Sequence, residues 1–158
     1  MKVAIASDFS GFNLKEAVKI YLTDQGYSVD DLGQKTKHEQ MLYYEASSDL
    51  AKAIQNEEYD KGIVICGTGA GVSMIANKYR GVYCVACESL YTAEKISLIN
   101  NANVLAMGEK IVSQPAACEM AKAFIDAVWC DGFEEQRKRN NEHGYQVLKQ
   151  LEAAFDTR

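Results

Sequence analysis

The chain has 158 residues, 47% of them apolar, which is enough for one full core and too little for two ordinary domains. A net charge of −5 and a pI near 5.1 exclude the basic face that a general nucleic-acid or membrane-surface partner requires. Five cysteines, an odd number, and only two histidines point to reduced thiols in a cytoplasmic protein and leave a histidine metal site poorly supplied.

Residues 2–7 read as a short apolar strand that ends at Asp8, too short an apolar run for a signal peptide. Gly11 and Phe12 then open a helix with apolar positions at Leu14, Val18, Tyr21 and Leu22, closed by Gly26. Residues 27–32 read as a second strand stopped by Gly33, and 34–42 form a polar loop able to reach over a site. A second helix covers 43–56, with Ala46, Leu50, Ala53 and Ile54 along one side.

The most informative stretch follows. An apolar run at 62–65 reads as a buried parallel strand, stopping at Cys66 before glycines at 67, 69 and 71, and a helical pattern begins behind them. Strand, glycine-rich turn and helix together aim backbone N–H groups at an anion. A thiol at the mouth of that turn gains donors that favour its anion, so Cys66 is a candidate base or nucleophile, against the plain alternative of a small core residue. The glycines are spaced by two, which fits neither a dinucleotide fingerprint nor a P-loop.

Residues 82–86 read as a fourth strand, 90–100 as a fourth helix and 103–107 as a fifth strand ending at Gly108. Strand alternation sends Cys84 and Cys87 to opposite faces, which argues against a paired metal or redox role. Pro115 suits the first turn of a fifth helix running to Val128, and 133–155 form a long polar sixth helix. Its cluster of Arg137, Lys138 and Arg139 is either a solvated helix face or an anion clamp. Regular alternation of strands and helices predicts a Rossmann-like three-layer α/β/α sandwich around a five-stranded parallel sheet. Ligands in such folds bind beyond the carboxyl ends of the strands, so Asp8 and residues 66–71, 87–89 and 108–110 are expected on one rim. The chain, 1–158, reads as a single domain whose last helix packs on a second subunit.

Residues 1–8, Gly11 and Phe12 with 14–16, residues 65–71, 76–78, 91–93 and 101–108 together resemble the type B ribose-5-phosphate isomerase and galactose-6-phosphate isomerase family, in its order and spacing from residue 1 to about 142. The resemblance implies a metal-free, cofactor-free aldose–ketose isomerase of sugar phosphates that works through a cis-enediolate, as a homodimer or tetramer with shared sites. It makes Cys66 the base and Thr68 its partner, and gives the N–H groups of Gly67, Gly69, Ala70 and Gly71 to the enediolate oxygen. Asp8, Phe9, Tyr43, Asn100 and Lys110 correspond to sugar-contacting positions. Arg137 matches the first arginine of a phosphate clamp, and Asn141 stands in place of the second unless Arg139 takes that role. Two departures stand out. Phe9 and Ile99 replace histidines, the second of which opens the sugar ring in the family. The implied substrate is ribose-5-phosphate, with galactose-6-phosphate or a tetrose phosphate as alternatives. A non-catalytic sugar-phosphate-binding subunit, or a flavodoxin-type module, would share the fold.

Overall fold

The apolar runs of the sequence become five strands and six helices in a computed structural model that describes residues 1–155; the last three residues of the expected 1–158 domain lie outside the described residues. In chain order these are β1 (Val3–Ser7), α1 (Phe12–Asp24), β2 (Val29–Asp31), α2 (Tyr43–Gln55), β3 (Lys61–Cys66), α3 (Ala70–Ala76), β4 (Cys84–Ala86), α4 (Leu90–Leu98), β5 (Val104–Gly108), α5 (Gln114–Asp126) and α6 (Glu135–Phe155). The sheet is parallel throughout, in the order β2-β1-β3-β5-β4.

β1, β3 and β5 hold the middle of the sheet and are buried along nearly their whole length, as strands covered on both faces must be. Their alternate side chains feed two cores. Val3, Ile5, Ile63, Ile65, Leu105 and Met107 face α1, α4 and α5, while Ala4, Ala6, Val64, Cys66, Val104 and Ala106 face α2 and α3. Cys84 and Cys87 fall into opposite cores, as alternation predicts. β2 differs from these three strands. It is an edge strand carrying Asp30 and Asp31, and charge on an edge discourages pairing with another chain.

α6 attaches to the N-terminal edge of the sheet by side chains. Glu152 accepts from Gly81 N (2.8 Å) and from the Tyr83 hydroxyl (3.1 Å), and the Tyr145 ring packs against Tyr83 and Trp129 at centroid distances of 5.6 and 5.2 Å. Val147, Leu148 and Leu151 remain exposed on it. Among the described residues no helix is long and apolar enough to cross a membrane.

Candidate active site

The chain leaves β1 toward β2 on one side and returns as β3 on the other, so a crevice opens at the carboxyl ends of β1 and β3. Asp8 follows β1 and Cys66 ends β3. The loops around them meet closely because glycine lets them. A β-carbon on Gly108 would stand 2.5 Å from the Thr68 carbonyl carbon, so only glycine fits where the ends of β3 and β5 touch. Gly69 takes a φ of 80°, the left-handed conformation that turns its N–H back onto the thiol. The Gly69 N–H donates to Cys66 Sγ at 3.1 Å, an interaction stronger with a thiolate than with a thiol.

Cys66 is buried at 5% exposure, at the border of the α2/α3 core, and Thr68 stands exposed beside it. The Ala70 N–H reaches Thr68 Oγ1 at 3.4 Å. Of the expected oxyanion donors, Gly69 and Ala70 are therefore occupied, whereas among the described residues the N–H groups of Gly67 and Gly71 have no partner. The Tyr43 ring lies on Gly71, its Cδ2 2.9 Å from where a β-carbon would stand, and forms one wall. The Lys110 N–H bonds the Gly67 carbonyl (3.0 Å), and its stem runs past Gly67. Residues 87–89 share this edge of the sheet but lie beyond β5.

Behind the crevice is a polar framework that sequence reasoning missed. Lys15, on the buried side of α1, has no exposure; its ammonium contacts Asp31 (2.5 Å), Glu16 (2.7 Å) and the Gln34 carbonyl (2.6 Å). Burial alone would raise the Asp31 and Glu16 carboxyls, but hydrogen bonds from Lys15 and Lys19 outweigh it and hold both below the usual carboxylate range. Gln34, buried in a loop that reads as merely polar, donates its N–H to Ser7 O and accepts from Met41 N with its amide oxygen; Met41 O in turn holds Phe9 N. The ends of loop 34–42 are thereby fixed to the backbone next to Asp8. Glu109 bonds the Leu14 N–H at 3.0 Å and the Asn13 amide at 2.9 Å, tying the end of β5 to the start of α1. The Asp-x-Ser spacing of Asp8 and Ser10, a known turn signature, is the one signal that could have marked Ser10.

The remaining expected residues lie at the opposite end. Asn100 is exposed between α4 and β5, on the edge where strands begin. The chain there is held by Cys130 N–H to Leu98 O (2.9 Å) and Trp129 Nε1 to Ile99 O (3.2 Å). Asn141 donates to Cys130 Sγ at 3.6 Å, and the Arg137 guanidinium sits 3.9 Å over the Phe133 ring. Arg137 and Asn141 are four residues apart and share one face of α6. Arg139, two residues from Arg137, points roughly 200° around the helix and bonds Gln136 instead, so it does not join Arg137. Within one chain, then, Asp8, Phe9, Tyr43, Cys66 to Gly71 and Lys110 come together, and Asn100, Arg137 and Asn141 form a second group at the other rim. Among the described residues no three His, Cys, Asp or Glu cluster as metal ligands.

Residues 3–142 match the family described as Ribose/Galactose Isomerase. The chain is 45% identical over 138 residues to a 4-deoxy-4-sulfo-D-erythrose isomerase from Clostridium sp. (strain MSTE9), covering 87% of each protein. It is 32% identical to a D-erythrulose-4-phosphate isomerase of Pectobacterium atrosepticum, covering 80% of this chain and 84% of that protein. Among solved structures, ribose-5-phosphate isomerase B of Clostridium thermocellum superposes with a TM-score of 0.88 at 32% identity, over 98% of this chain and 99% of that one.

Proposed function

The chain belongs to the ribose/galactose isomerase family and is an isomerase, and from that premise we propose that it interconverts an aldose and a ketose of four carbons whose far end carries a sulfonate or a phosphate. The observation that carries this reading is Ile99. It stands where the family resemblance puts the ring-opening histidine, in a segment fixed by Trp129 and Cys130, and the two histidines of the chain lie elsewhere, in loop 34–42 and on α6. A five-carbon aldose phosphate closes into a furanose and waits for an opener, with its apparent affinity reduced by the scarcity of the open form. A four-carbon aldose with its terminal position taken by phosphate or sulfonate has no hydroxyl left to close that ring. The names of the relatives in Clostridium and Pectobacterium support the same chain length.

The charge available favours the sulfonate. Arg137 shares its helix face with Asn141 and not with Arg139, so the second group offers one guanidinium, suited to a group with one negative charge more than to one with two. Because this group and Cys66 lie on opposite rims, one site takes Cys66 from one chain and Arg137 from a second copy.

In the proposed reaction the Cys66 thiolate takes the C2 proton of the open aldose, and the electron pair becomes the C1–C2 double bond of the enediolate. The negative charge on O1 faces the N–H groups of Gly67 and Gly71, preorganised where charge develops. Thr68, exposed beside the thiol, moves the hydroxyl proton from O2 to O1, and the thiol returns its proton to C1 to give the ketose. The test is a panel of 4-deoxy-4-sulfo-D-erythrose, D-erythrose-4-phosphate and ribose-5-phosphate, scored for ketose formation. The sulfonate is expected to give the highest kcat/KM and ribose-5-phosphate the lowest; an enzyme that prefers ribose-5-phosphate would refute the assignment from Ile99.

A further inference from the structure

The mouth of the crevice holds a hydroxyl with no role so far. Ser10 Oγ donates to Asp8 Oδ1 and Oδ2, 2.8 Å from each, while Ser10 N and Gly11 N reach Oδ1 at 3.0 Å apiece. Asp8 is only 4% exposed, whereas Ser10 is partly open to solvent. The carboxylate is thus occupied by the turn that starts α1, with three donors on one oxygen and the serine hydroxyl shared with the other. A hydroxyl has one hydrogen and two lone pairs. With its hydrogen held by a carboxylate, Ser10 Oγ turns lone pairs outward, and the charge-assisted bond makes it a better acceptor. Its position is also set relative to the reacting turn. A β-carbon on Gly67 would stand 3.5 Å from Ser10 Oγ and 3.9 Å from Lys110 Cδ, so the acceptor borders the first glycine after Cys66.

Resting on the isomerase reading above, we propose that Ser10 contacts the substrate, its Oγ accepting the hydrogen of the C3 hydroxyl, and that Asp8 is the positioning residue that orients it. The assignment to C3 follows from the chain length. With C1 and C2 at Cys66 and C4 carrying the anion, the C3 hydroxyl is the one donor left on a four-carbon sugar. An acceptor fixed at that place discriminates by the presence and direction of that hydroxyl. This contact exists before and during proton transfer alike, so it acts on KM more than on kcat.

The test compares Ser10→Thr, which keeps the oxygen, with Ser10→Val, which replaces it by a methyl group of similar shape. Each is assayed on the four-carbon sulfonate and on its 3-deoxy analogue, with melting temperatures measured alongside. Ser10→Val is expected to raise KM for the full substrate about tenfold, as loss of one hydrogen bond does, with kcat within about threefold of the parent. Ser10→Thr is expected to stay near the parent, and the penalty of Ser10→Val should vanish on the 3-deoxy analogue. Should Ser10→Val fold poorly, Ser10→Ala makes the same deletion with less bulk. A parent active on the sulfonate with unchanged KM in both deletions overturns the role of Ser10 alone, as does an equal penalty on the 3-deoxy analogue. A parent that isomerises neither 4-deoxy-4-sulfo-D-erythrose nor D-erythrose-4-phosphate overturns the four-carbon reading, and this inference with it.

Discussion

The two rims of the sheet are built by different means. At the carboxyl edge, β1, β3 and β5 bring Asp8, Cys66 and Gly108 together through backbone approaches so close that glycine is required, and side chains such as Lys15 and Gln34 lock the loops from beneath. At the amino edge, Arg137 and Asn141 ride on an exposed helix held by a few side-chain contacts. A reacting centre tolerates little error, since proton transfer depends on sub-ångström geometry, whereas a charged handle gripped at a distance tolerates more. On the proposed function, the rigid rim is therefore suited to chemistry and the helical rim to recognition.

That division is tested most severely by Cys66→Ala. It should lower kcat by about 100- to 10,000-fold, the usual loss on removing a positioned base, with substrate binding retained. Steady-state kinetics together with calorimetric binding decide it, and a variant within a few-fold of the parent removes Cys66 from the chemistry. Arg137→Ala should leave kcat nearly intact and raise KM by about 10- to 150-fold, corresponding to about 1.5–3 kcal/mol for a charge-assisted contact. Arg139→Ala should change little. Mixing the two variants at substrate well below KM, where each alone is impaired, sharpens the comparison, because a dimer of one Cys66→Ala and one Arg137→Ala chain contains one intact site. Random reassortment then restores about a quarter of parental activity, and no restoration would place both residues in the same chain's site.

Much of the carboxyl rim was legible in the sequence, since an apolar run broken by Cys66 and three alternating glycines states a strand, a turn and a helix locally. Cys84 and Cys87 show the same legibility, because alternation alone separates them. What escaped depends on pairings between distant positions or on burial that polarity conceals. Lys15 sits in a helix that reads as amphipathic, yet it is wholly buried because Asp31 and the Gln34 carbonyl wait on the neighbouring edge strand and loop. Tyr145 and Glu152 find Tyr83 and Gly81 about seventy residues away, which no periodicity in α6 announces. The separation of Arg139 from Arg137 is, by contrast, readable from the spacing, since residues two apart on a helix face opposite ways.

Two smaller effects refine the contrast. Asp31 is held below its ordinary value of 3.8 by its lysines, so the folded state binds its proton less readily than the unfolded chain does. Its contribution to stability is complete above the unfolded value and is lost as pH falls through the lower folded one. Asp31→Asn should therefore flatten the acid limb of a melting-temperature profile, with little change at neutral pH in the slope; an unchanged limb would show that Lys15 is held by other partners. Ile99→His should shift the ratio of ribose-5-phosphate to four-carbon activity upward by a few-fold, in proportion to ring opening. If the parent already opens rings as fast as the variant, measured by carbonyl trapping, another residue does so.

The attachment of α6 makes it a lever. Its C-terminal half is held by Glu152 at Gly81 and Tyr83 and by the Tyr145 ring against Tyr83 and Trp129, and Arg137 sits eight residues before Tyr145, about 12 Å along the axis at 1.5 Å per residue, with the Asn141 to Cys130 contact between them. A tilt of about 10° around Tyr145 moves the guanidinium by about 2 Å, the difference between a direct contact and one bridged by water. On the proposed function, substitutions around Gly81 and Tyr83 change the reach of the arm, and with it the anion gripped, while the thiol at the other rim stays in place.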